Sequence, residues 1–174
     1  GELEAAFEDV TKRLPHEMKP WSNYALFERD LGNLGKAEDI LRQALKANPL
    51  SQQLNYVLGD LLLRQGRSQE ALELLKLALQ YDYQEQYQHD VSQDAIRTTL
   101  AQAYEAVGDF DKAELLYQSV ISITQEARFH VRQYAANRLQ AIALQRGRPP
   151  ESSETSESDR ARQLLEVLSS MQRD

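Results

Sequence analysis

Three histidines, His16, His89 and His130, are the side chains best suited to proton transfer near neutral pH, and they stand far apart in the chain. Nucleophilic catalysis needs such a base beside an activated serine or cysteine. There is no cysteine, and no nucleophile-elbow motif lies near any of the histidines. A metal site needs ligands that converge at helical spacing. The nearest grouping is Asp82, His89 and Asp90, whose ordinary reading is solvated surface. Neither a glycine-rich phosphate loop nor a dinucleotide-binding pattern occurs. The chain is therefore expected not to be an enzyme, and no cofactor or metal is expected.

Charge narrows the partners. A formal net charge of -7 and a pI of about 5.1 give a field that repels phosphate backbones and anionic lipid. Nucleic acid is excluded as a first expectation, and so is direct membrane insertion, because no apolar run approaches the ~20 residues that span a bilayer. The start, Gly1-Glu2-Leu3-Glu4, resembles neither a secretory signal nor a basic transit peptide. A soluble chain is expected, its compartment open, with the cytoplasm the first expectation. Against this acidic background Arg128, Arg132, Arg138, Arg146 and Arg148 make one helical stretch locally basic. That stretch reads either as a solvated face or, through Arg128 and Arg132 one turn apart, as a receiver for an acidic motif. The segment from Glu151 to Asp159 is acidic, and Ser156 and Ser158 within it are a candidate phosphorylation switch.

The elements that must carry these residues are helices. Seven Gly and five Pro in 174 residues leave few turns, and abundant Leu, Ala, Gln and Glu suit helix interiors. The class expected is all-α. Self-similarity then organises the chain. Gly32-Asn33-Leu34-Gly35-Lys36-Ala37 returns 34 residues later as Gly66-Arg67-Ser68-Gln69-Glu70-Ala71, and again as Gly108-Asp109-Phe110-Asp111-Lys112-Ala113. Leu41, Leu75 and Tyr117 follow four residues after each alanine, and Ala44, Ala78 and Val120 follow seven after it. Earlier in each copy stand Trp21, Tyr24 and Ala25, then Asn55, Leu58, Gly59 and Leu62, then Leu100, Ala101 and Tyr104. Small residues at two places per copy let paired helices approach closely while large neighbours fill the space beside them. Gly32, Gly66 and Gly108 fall where each first helix ends, a place that often requires positive φ.

This frame resembles the tetratricopeptide-repeat (TPR) family, in which Trp-x2-Leu-Gly-x2-Tyr opens one helix and Ala-x3-Phe, with a later Pro, marks the next. Pro49 supplies that proline in the first copy and Tyr83 replaces it in the second. The resemblance implies a right-handed α-solenoid of antiparallel helix pairs, a TPR superhelix whose first helices line a concave groove. Residues 18–51, 52–85 and 94–127 are the three repeats, with an insert at 86–93. Its surroundings, Tyr81 to Asp94, are read either as added turns with tyrosines at a seam or as a projection that binds a partner. Residues 1–15 carry a helical stripe, Leu3, Ala6, Phe7, Val10 and Leu14, read as a capping helix or as the second helix of a truncated repeat. Residues 128–174 read as a degenerate fourth pair, with first helix Arg128 to Arg146, second helix Arg160 to Met171, and a mobile acidic serine-rich loop at 149–158 between them.

By the resemblance, the groove should present Lys19, Ser22, Leu26 and Arg29, then Gln53, Tyr56, Asp60 and Leu63, then Thr98, Gln102 and Glu105, extended by Tyr134, Asn137 and Ala141. The lysine-, arginine- and asparagine-based clamp that one TPR subclass uses for terminal carboxylates is missing, since Ser22, Leu26, Val57, Ala95 and Thr99 occupy its places. The function expected is an adaptor that docks a protein or peptide segment in the groove. The alternative is a structural or self-associating array whose terminal helices contact neighbours.

Overall fold

The computed structural model describes residues 1–80, 92–123 and 129–147, together with Arg162 and Leu165. The insert around Tyr81 to Val91, the loop at 149–158 and nearly all of the segment from Arg160 to Met171 lie outside the described residues. Eight helices and no strands occur among those described. They divide between two compact units, Gly1–Val91 and Ser92–Asp174.

The first unit holds α1 (Glu2–Arg13), α2 (Met18–Asp30), α3 (Leu34–Ala47), α4 (Gln52–Arg64) and α5 (Ser68–Gln80). Helix α2 pairs with α3 and α4 with α5, while α3 packs on α4, so the pairs stack. The small positions do what their size dictates. A Cβ placed on Gly59 would stand 2.7 Å from Cγ of Leu75, so the α4–α5 approach has no room for a side chain there. Ala25, Ala37, Ala44, Ala71 and Ala78 are buried beside Leu41, Leu58, Leu62 and Leu75. At the entrance, Phe7 of α1 stacks on Tyr24 with ring centroids 5.3 Å apart, and the Trp21 indole N–H donates to the Pro15 carbonyl at 3.0 Å. From the turn before α5, Arg67 reaches Glu38 of α3 at 2.7 Å and pairs with Glu70 of α5 at 2.6 Å.

The second unit holds α6 (Gln93–Val107), α7 (Phe110–Ile123) and α8 (Phe129–Gln145). Leu100, Ala101 and Tyr104 of α6 and Ala113, Leu116, Tyr117 and Val120 of α7 form its core, and Ala135 and Ile142 bring α8 onto it.

One turn design recurs in both units. The amides of Gly32, Gly66 and Gly108 donate to the carbonyls of Arg29, Leu63 and Glu105. The amides of the next residues, Asn33, Arg67 and Asp109, donate to Glu28, Leu62 and Tyr104 at 2.9 Å. This double closure caps the exposed carbonyls of each first helix and needs a left-handed residue. The glycines supply it, with φ of 83°, 78° and 85°.

Candidate partner-binding faces

In the first unit, the spacing of Lys19, Ser22, Leu26 and Arg29 sets them along one face of α2, and Gln53, Tyr56, Asp60 and Leu63 along one face of α4. These two helices also touch each other. Leu26, Tyr56 and Leu63 are half-buried, whereas Leu54, Leu58 and Leu62 on the opposite side of α4 are fully covered. Lys19 is exposed. Ser22 is not at the surface: it is buried, and its hydroxyl donates to the Met18 and Lys19 carbonyls at 3.2 and 3.1 Å, so it offers no atom to a partner. A serine one turn into a helix finds its own backbone closer than any ligand. Arg29 is half-buried and pairs with Asp30 at 2.7 Å, and Asp60 pairs with Arg64 at 2.8 Å. The Asp60 carboxylate holds the Arg64 guanidinium above its usual range.

In the second unit the corresponding side chains are drawn together by one another. Gln102 donates from Nε2 to the Tyr134 hydroxyl at 2.6 Å. Glu105 is gripped by Arg138 and also accepts from the Tyr117 hydroxyl at 3.2 Å. Tyr134 meets Tyr117 edge to face at 6.3 Å. Burial first, and the neighbouring Tyr134 next, push the Tyr117 phenol well above its usual range. Thr98 turns its hydroxyl to the Asp94 carbonyl, Asn137 accepts from Gln133, and Ala141 is half-buried. Gln102, Glu105 and Tyr134 thus hold α8 to α6.

The basic helix is corrected in the same way. Arg138 is paired with Glu105, and Arg146 pairs with Asp111 at 2.7 Å and Glu114 at 3.2 Å, so neither is a free receiver of acidic motifs. Arg128 and Arg148 lie outside the described residues. Arg132 is different. It lines an open cavity of about 490 Å³ with Ile121, Phe129, Gln133 and Ala136.

One structural pair escaped the sequence reading. Glu28 stands at the repeat position that Leu62 and Tyr104 fill in the other copies, and it is 1% exposed. Lys36 neutralises it at 2.9 Å, Asn33 donates to it at 2.8 Å, and Glu4 of α1 shares the same lysine. The signal was there: a carboxylate at a core position of the repeat requires a cation. No group of three or more metal-ligating side chains occurs among the described residues, and the Asp82, His89 and Asp90 grouping falls outside them. No described helix is long and apolar enough to cross a membrane.

Tetratricopeptide-repeat family models match residues 25–86 and 98–130, together more than half of the chain. The chain belongs to the tetratricopeptide-repeat family. It is similar to the solved structure of MamA, with a TM-score of 0.66 and 18% identity over 98% of this chain and 86% of that one. It is similar also to YrrB, described as a TPR protein with an unusual peptide-binding site, with a TM-score of 0.61 and 15% identity over 80% of this chain and 74% of that one. Among curated proteins it is 29% identical, over 143 residues and 82% of its length, to the chloroplastic PsbD mRNA maturation factor Nac2 of Chlamydomonas reinhardtii. It spans 10% of that relative. The fold is an all-α solenoid of helix pairs, and scaffolds of this family typically bind proteins and are non-catalytic.

Proposed function

We propose that this chain is a non-catalytic adaptor that docks a segment of a partner protein on the faces of its first helices. The observation that carries the reading is the division of α4: Leu54, Leu58 and Leu62 are fully buried, while Tyr56 and Leu63, like Leu26 of the neighbouring α2, remain half-open. Half-open aromatic and aliphatic side chains suit an extended or helical segment that presents apolar side chains. The acidic balance of the chain favours a protein over a nucleic acid. In the likeness to an mRNA maturation factor, this chain's share of such work would be contact with another protein.

The test is affinity capture from the native source with the wild type and with a Leu26→Ala, Tyr56→Ala, Leu63→Ala variant of matched helicity. A protein retained by the wild type and lost by the variant supports docking on α2 and α4. Equal retention sinks it.

A second reading, self-association through terminal helices, draws on α1. Leu3, Val10 and Leu14 form an exposed apolar row there, with Leu3 56% exposed. Sedimentation over a hundredfold concentration range decides it: a constant monomer mass rules self-association out.

A further inference from the structure

We infer that the cavity at the start of α8 is a second docking site, on side chains that the first-helix faces do not use, and that it takes a partner segment in which a carboxylate adjoins an apolar side chain. Ile121 of α7 and Phe129 and Ala136 of α8 give it apolar walls, and Phe129 is 68% exposed. A volume of about 490 Å³ accommodates one or two side chains and not a folded surface.

Charge selects the occupant. The other described arginines of this stretch are consumed, Arg138 by Glu105 and Arg146 by Asp111 and Glu114, and Lys112 is paired with Asp109 at 2.8 Å. Arg132 is half-buried at the cavity wall and has no hydrogen-bond or ion-pair partner among the described residues. A guanidinium partly withdrawn from water attracts a carboxylate more strongly than an open surface charge does, and its planar fork donates to both oxygens. One cation among apolar walls is a poor match for a phosphate backbone, which needs a row of them. An acidic residue beside a leucine or aromatic side chain satisfies cation and walls together.

The probe is a short fluorescein-labelled Gly/Ser peptide carrying one Leu-Asp pair, with Leu-Asn and Leu-Lys peptides beside it. Fluorescence anisotropy is read with methyl NMR shifts of Ile121 and Ala136. The Leu-Asp peptide should bind and shift both methyl groups, the other two peptides should not, and Arg132→Gln should weaken binding about tenfold or more. Phe129→Ala should weaken it as well, and Leu144→Ala, at an exposed side chain outside the cavity, should leave it unchanged. Unchanged affinity in Arg132→Gln overturns the inference, as does equal binding of the Leu-Lys peptide or absence of Leu-Asp binding. Loss in Tyr56→Ala alone would move the contact to the α2–α4 face. Binding that emerges only when Glu151, Glu154, Glu157 and Asp159 are neutralised would make the chain's own acidic stretch the occupant, and would overturn it too.

Discussion

The first unit closes its helix pairs with small residues set against leucines, while the second ties its last helix down with polar side chains. In α4 and α5 the contact is Gly59 against Leu75, with little tolerance on either side. On α8 the fully buried apolar side chains are only Ala135 and Ile142, and beside the Tyr117–Tyr134 ring contact and half-buried Val131 and Leu139 the pairs Gln102–Tyr134, Glu105–Arg138 and Arg146 with Asp111 and Glu114 add a polar grip. Leu144 at 66% exposure and Phe129 lie in the open. The repeat frame thus specifies how a helix is covered, and where cover is thin, charge pairs position the helix instead. Such pairs are weaker than apolar burial and more sensitive to solvent conditions.

The comparison can be broken most directly in the first unit. Leu75→Ala should destabilise it by about 2–5 kcal/mol, because the space it leaves is walled by α4 and α5. Gly59→Ala alone should also be destabilising through its clash with Leu75. In the double variant the two losses should fall short of their sum, as chemical denaturation would show. Full additivity would mean that the two positions do not share one space.

Next in size is the buried carboxylate. Lys36→Met strands Glu28 with only Asn33 as a donor and should cost the first unit about 2–3 kcal/mol. Adding Glu28→Leu, which restores the leucine of the second copy, should recover most of that loss in thermal melts. A double variant no more stable than Lys36→Met would refute the account of this pair.

In the second unit Arg138→Ala should cost about 2 kcal/mol, since it leaves the Glu105 carboxylate with Tyr117 alone. Hydrogen exchange should quicken in α8 before α6 and α7. Exchange that rises uniformly would show that α8 is held by its apolar contacts after all.

The smallest effect is alkaline. The folded Tyr117 phenol is raised above its usual range, so above pH ~10 the unfolded chain releases a proton that the folded one keeps. Stability from this group is complete below that pH and declines as pH rises, by about 1.4 kcal/mol per unit at most. Tyr117→Phe should remove this decline in denaturation curves across pH 9.5–11.5, and an unchanged decline would assign it elsewhere.

Legibility followed the kind of interaction. Glycine caps and small-to-large spacing were readable because each acts within one turn or one helix pair, and the same local geometry recurs in every copy. Ser22 misled because its place in the repeat marks a groove position, while a hydroxyl in a helix bonds the preceding turn. Arg138 and Arg146 misled because their charge was counted without the carboxylates that meet it from α6 and α7. Leu165 shows a further departure: it repeats the spacing of Leu41, Leu75 and Tyr117, which are buried, yet it is 64% exposed.

The all-α class, the repeat frame, the glycine turns and the family were all readable from the residues alone. Those depend on residue size and backbone freedom, which are properties of single positions and short spacings. Which polar side chains remain available was set by how the helices pack. Availability depends on what a neighbouring helix places within about 3 Å of a charge. Glu28 found Lys36 and Arg138 found Glu105 across such gaps, while Arg132 met no described partner.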